Sequence, residues 1–97
     1  MKRSRKTRNK NRATWQETGK YLALARSRQS LSQGQLAEKL GYTVNQFVSN
    51  WERGLCLPPF SILKKIQKFT PYSSELLRAN MVNDFEAVLI KKMEAKK

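Results

Sequence analysis

Apolar residues in this chain recur at intervals of three and four rather than in strict alternation, a pattern that predicts helices and no strands. In a first helix, Trp15, Thr18, Leu22 and Ala25 fall on one side with Tyr21 beside them, and the helix ends near Arg28 or Gln29. Thr14-Trp15-Gln16-Glu17 at its start fits a capping box, in which a hydroxyl and a carboxylate satisfy orphan backbone amides. Gly19 inside it lowers the helix propensity. A second box, Ser32-Gln33-Gly34-Gln35, opens a short helix that buries Leu36, Ala37 and Leu40. Gly41 stops that helix in the left-handed conformation. Thr43-Val44-Asn45-Gln46 is a third candidate box. The helix behind it runs to Glu52 or Arg53, ends at Gly54, and carries Val44, Phe47, Val48 and Trp51 at i, i+3, i+4 and i+7.

Pro58-Pro59 start a fourth helix, proline being tolerated in a first turn. Ile62, Leu63, Ile66 and Phe69 form its inward stripe, and Lys64, Lys65 and Lys68 point outward. Thr70-Pro71 break the pattern. A last helix begins at Ser73 or Ser74 and reaches toward Ala95, with Leu77, Met81, Phe85 and Val88 in one row and Val82 and Leu89 beside it. Its first two turns are expected to close the core. The excess apolar length behind them suggests packing on a second subunit, although the three to four clean heptads of a coiled coil are missing. The fold class is all-α: five helices in one compact domain.

The face of the third helix opposite its apolar stripe is Asn45, Gln46, Ser49, Asn50 and Arg53. Exposed helix faces usually mix Lys, Glu and Arg, and Asn and Ser are only middling helix formers, so helix stability does not account for these four uncharged residues. The chain as a whole makes them stand out. It has 97 residues, 20 Lys+Arg against 7 Asp+Glu, a net charge of +13 and a pI near 10.4. Such a surface attracts polyanions: nucleic acid, acidic membranes or ribosomes. Lys and Arg mostly grip phosphate, whereas Asn and Gln can make bidentate contacts to adenine and Ser can serve several bases. The plainer alternative is a solvated polar face that merely lacks charge.

Charge also divides the chain. Residues 1–12 contain Lys2, Arg3, Arg5, Lys6, Arg8, Lys10 and Arg12 and no acid, which leaves +6 for the remainder. Having no large apolar residue after Met1, this arm is expected to be disordered when free. It serves either as a solubilising tail or as a flexible arm on phosphates or in a minor groove. The expected organisation is a basic arm over 1–13, a DNA-binding domain over 14–72, and a C-terminal helix over 73–97 that closes the core and can dimerise. One cysteine, Cys56, makes no internal disulfide, and with no histidine the usual zinc sites and general bases are missing. Paired carboxylates and a phosphate-cradling Gly loop are also missing, so an enzyme is disfavoured and no cofactor or metal is expected. No apolar run approaches the roughly 18 residues of a membrane span, and no apolar segment follows the basic start, which together suggest a cytoplasmic protein, nucleoid-associated when bound to DNA.

Arg26, Leu31-Ser32-Gln33, Leu36-Ala37, Leu40-Gly41, Trp51-Glu52-Arg53-Gly54 and Pro59 occur in the order and nearly the spacing of a known pattern. Over about residues 14–69 the chain resembles the helix-turn-helix family of phage Cro and CI repressors, which includes bacterial regulators of the XRE type. The resemblance implies a lambda-repressor-like domain. It implies that Ser32 and Gln33 contact backbone phosphate and that the third helix lies in the major groove. Counted back from Trp51, the base-reading positions fall on Asn45, Gln46, Ser49 and Asn50, with Arg53 a phosphate contact at the helix end. Arg26 and Glu52 become a structural ion pair. Gly41 to Gly54 is one residue longer than the family's usual spacing, and the extra residue is placed in the turn, within 42–44. Phe47 stands where the family often has Thr or Ser, and either packs inward or faces a thymine methyl.

The function expected is a sequence-specific regulator of transcription that binds double-stranded DNA, a small repressor or controller protein, acting as a homodimer. No small-molecule ligand is expected, for want of a ligand domain. An antitoxin-like module that uses the helix-turn-helix as a scaffold for a protein partner is the alternative, and a sequence-independent packager or RNA binder driven by the arm is a third.

Overall fold

The computed structural model describes residues 13–95. Among them the chain forms five helices and no strand: α1 (Gln16–Arg28), α2 (Gln33–Lys39), α3 (Gln46–Glu52), α4 (Phe60–Phe69) and α5 (Ser74–Ala95). α1 is the central element, packing against both α5 and α3, while α2 packs against α3. The core that joins them is Leu22 of α1, Leu36, Ala37 and Leu40, Val48 and Trp51 of α3, Leu63 and Ile66 of α4, and Leu77 of α5. Each large apolar side chain so buried contributes about 1.5–3 kcal/mol. None of these helices is long and apolar enough to cross a membrane.

The helix-turn-helix is closed by local signals. At α2 the Ser32 hydroxyl accepts from the Gln35 amide at 3.0 Å, and the Gln35 side chain accepts from the Ser32 amide at 2.8 Å, which completes the expected capping box. Gly41 (φ +94) and Gly54 (φ +81) sit just past α2 and α3 in the left-handed region. Each is framed by a pair of bonds back into its helix: Gly41 and Tyr42 amides to Glu38 and Ala37, Gly54 and Leu55 amides to Trp51 and Asn50. These are Schellman motifs, which consume the carbonyls a helix end leaves unpaired.

The start of α1 departs from expectation. The N-cap is Trp15, not Thr14, and Trp15 makes no side-chain cap bond. The first turn is held instead by Asp84 of α5: its carboxylate accepts from the Glu17 amide (3.2 Å), the Thr18 amide (2.8 Å) and the Thr18 hydroxyl (2.7 Å). Asp84 and Thr18 are both buried. A carboxylate at a helix N-terminus is also favoured by the helix dipole. Beside this clamp the rings of Trp15 and Phe85 lie nearly parallel, 6.5 Å apart.

Three further expectations change. Gly19 is required rather than merely tolerated: a Cβ there would lie 2.5 Å and 2.6 Å from the Glu52 and Trp51 carbonyl oxygens, so only glycine lets α1 come this close to α3. The third capping box does not form, because Asn45 is the N-cap and makes no side-chain bond to the helix. α3 therefore begins at Gln46, Val44 lies in the turn before it, and the apolar stripe divides. Val48 and Trp51 are buried, whereas Val44 and Phe47 are about half exposed. α4 begins at Phe60 with Pro59 as its cap, so the proline pair precedes the helix. α5 starts at Ser74, where the Ser73 hydroxyl accepts from the Leu76 amide at 3.1 Å.

Candidate nucleic-acid interface

A bonded network spans the join between α1, α2 and α3. Arg26 donates to both carboxylate oxygens of Glu52, at 2.6 Å and 3.0 Å, and its third arm donates to the Leu31 carbonyl at 2.6 Å. The side chains of Arg26 and Glu52 are only 16% and 8% exposed. The Glu52 hydrogen bond, with its Coulombic attraction, lifts the Arg26 pKa above its ordinary value, against the opposing effect of burial. Gln33 joins the same group, donating to Glu52 at 2.8 Å. Its amide is thus fixed by the protein and cannot swing freely. Ser32 beside it is exposed, although its hydroxyl already accepts the capping bond.

α3 displays the uncharged face. Gln46 and Asn50, one turn apart, are joined by a bond of 2.9 Å from the Gln46 amide to the Asn50 oxygen. Arg53 follows on the same side at the C-cap and is exposed. Asn45 is exposed just ahead of the helix, and Ser49 is half-buried on its flank. The five residues named from the sequence on this element therefore occupy one end-to-end surface, with Asn45 contributed by the turn. Gln46–Glu52 is an uninterrupted α-helix, and residues 42–45 form the turn between Gly41 and the start of that helix.

Two residues of the apolar stripe read from the spacing border this surface. Val44 is 55% exposed and Phe47 47% exposed, the latter with its ring 4.8 Å from that of Tyr42. The clue available in the sequence is the longer turn, which takes Val44 out of the helical register.

The basic residues Lys2, Arg3, Arg5, Lys6 and Arg8 lie outside the described residues. The chain leads into the described region beside the end of α3: the Trp15 amide donates to the Gly54 carbonyl at 2.9 Å, and a Cβ on Gly54 would lie 2.7 Å from the Gln16 nitrogen. Cys56, just past that point, is an exposed free thiol.

Compared with known families, residues 22–77 match the model described as helix-turn-helix, a match over more than half of the 97 residues. No curated protein and no solved structure matches the chain.

Proposed function

The chain belongs to the Cro/CI-type helix-turn-helix family of DNA-binding transcription regulators, and from that premise we propose that it is a sequence-specific regulator of double-stranded DNA, a small repressor or controller protein. The observation that carries this is the exposed, uncharged amide surface of α3 on a chain of net charge +13. Asn45, Gln46, Ser49 and Asn50 read base edges in the major groove. Ser32, Gln33, Arg53 and the arm residues Lys2, Arg3, Arg5, Lys6 and Arg8 hold phosphate and set the register. The Arg26–Glu52 pair braces α1 against α3 and fixes Gln33 at the edge of the groove. The arm joins the domain next to Gly54, within reach of the phosphates that Arg53 would meet.

The functional unit is a homodimer on a two-fold site. α5 supports this assignment. Val82, Phe85, Leu89 and Met93 are all more than 40% exposed and recur along one side of the helix. The exposed charges of α5, Glu75, Glu86 and Glu94 against Arg78, Lys91 and Lys92, balance on a chain of net charge +13, so two copies can meet there without the repulsion of the basic surfaces. α5 packs against α1, and Asn45, Gln46 and Arg53 of the reading element remain exposed.

The test is binding of the Asn45→Ala/Gln46→Ala double variant to a site selected from random duplexes and to random DNA. A loss of about 10-fold or more is expected on the selected site only, since one good bidentate base contact is worth roughly 1–3 kcal/mol. An equal loss on both would sink the base-reading assignment.

A further inference from the structure

The reading helix carries an apolar contact surface alongside its amides, and its most prominent member is Phe47. On α3, Phe47 follows Gln46 and lies one turn ahead of Trp51, so it stands on the boundary between the buried stripe and the amide face. Its ring is not loose. Phe47 packs on Tyr42 at 4.8 Å, and Tyr42 packs edge-on to the buried Trp51 at 6.0 Å, so an aromatic column runs from the core to the surface. Half of Phe47 still faces solvent at the end of that column, and Val44 is exposed in the turn ahead of Asn45. Single exposed apolar residues are ordinary. Here two of them bracket Asn45 and Gln46, the residues placed on the bases, and one is packed through Tyr42 onto the core.

Chemistry names what such a ring meets. The major groove presents one apolar group, the 5-methyl of thymine, and apolar side chains contact it. The Gln46–Asn50 bond leaves Gln46 with its carbonyl oxygen and one N–H free, the donor and acceptor set that matches adenine N6 and N7. An amide for adenine beside an aromatic ring for thymine suits A·T pairs. We infer that Phe47 is a specificity-determining residue of this protein, selecting thymine through its methyl group next to the pair read by Gln46. This rests on the assignment of α3 as the base-reading element and adds to it a contact that carries no hydrogen bond.

The test isolates the methyl group. Binding sites are first selected from a random duplex pool with the full chain, and each thymine of the selected site is then replaced in turn by deoxyuridine, which pairs identically but lacks the methyl. At least one thymine per half-site should respond with an affinity loss of about fourfold, what burying one methyl-sized group is worth. In Phe47→Ala that sensitivity should disappear while the amide-dependent preference for adenine remains. If thermal melting shows that Phe47→Ala does not fold, Phe47→Gln takes its place, retaining a long side chain against Tyr42; should neither fold, methyl sensitivity that persists in Val44→Ala supports Phe47, and its loss there overturns the inference. A selected consensus whose thymines are all indifferent to the methyl overturns the inference and leaves base reading by α3 intact, as does equal sensitivity in the wild-type and variant chains. A pool that yields no consensus overturns both.

Discussion

The helix-turn-helix and the contact between α1 and α5 start and stop their helices by different means. In the helix-turn-helix, α2 is opened by Ser32 and Gln35, three residues apart, and α2 and α3 are closed by Gly41 and Gly54 with bonds that reach back no further than five residues. At the contact with α5, the first turn of α1 is held by Asp84, more than sixty residues along the chain, and by the stacking of Trp15 on Phe85. A local cap is made by residues of its own helix and needs no partner from α5. A remote cap exists only while α5 is docked. The start of α1, which lies beside Gly54, is therefore conditional on the C-terminal helix.

Asp84→Ala is the severest way to break this contrast. It leaves two backbone amides and the buried Thr18 hydroxyl without their acceptor, and hydrogen bonds to a charged group are worth about 1.5–3 kcal/mol each, though they do not add in full. A loss of about 3 kcal/mol is expected in urea unfolding. That is a large share of the stability of a domain this size and corresponds to a fall in Tm of roughly 15 °C. A loss below 1 kcal/mol would mean that water replaces the carboxylate and that the clamp is incidental.

The same contrast explains what was legible in the sequence. The five helices, the Ser32 box, the two glycine stops and most of the buried stripe, including Leu36, Val48, Trp51, Leu63 and Ile66, follow from periodicity and turn chemistry, because those signals act within a few residues. The uncharged surface of Gln46 and Asn50 is legible for the same reason. What escapes is long-range. Nothing within ten residues of Asp84 announces a partner at Thr18, and a helical glycine looks like a weakness until the carbonyls of Trp51 and Glu52 are found against Gly19. Val44 and Phe47 escape for another reason. Their spacing is correct for a core stripe, but the helix starts later than the spacing implies, so the turn carries Val44 away and leaves Phe47 at the edge.

Ser32→Ala supplies the matched local measurement. It removes one N-cap bond from α2, and the Gln35 side chain still reaches the Ser32 position's amide, so the expected loss is about 1 kcal/mol, read from the same urea titration. The comparison is sharpest in combination. Ser32 and Asp84 serve different helices and share no partner, so the double variant should lose the sum of the two single losses to within about 0.5 kcal/mol. A larger discrepancy would show that docking of α5 and formation of the helix-turn-helix are coupled through α1.

The smallest effect has the opposite sign. α1 ends as α2 and α3 do: the Ser30 amide donates to Ser27 at 2.9 Å and the Leu31 amide to Arg26 at 3.5 Å, the bonds of a Schellman motif. Its left-handed residue is Ser30 (φ 57), where the other two have glycine. A side chain in that conformation costs about 1–2 kcal/mol. Replacing it removes the strain, while the greater freedom of glycine in the unfolded chain takes back roughly 0.5–1 kcal/mol. Ser30→Gly should therefore stabilise the domain by about 0.5–1 kcal/mol, a rise in Tm of roughly 2–8 °C. Ser30 is exposed and lies outside the α3 surface, so affinity for a selected site should not change. A fall in Tm would show that the strain is already relieved elsewhere, most directly by Arg26, whose bond to the Leu31 carbonyl holds the same turn and ties it to Glu52.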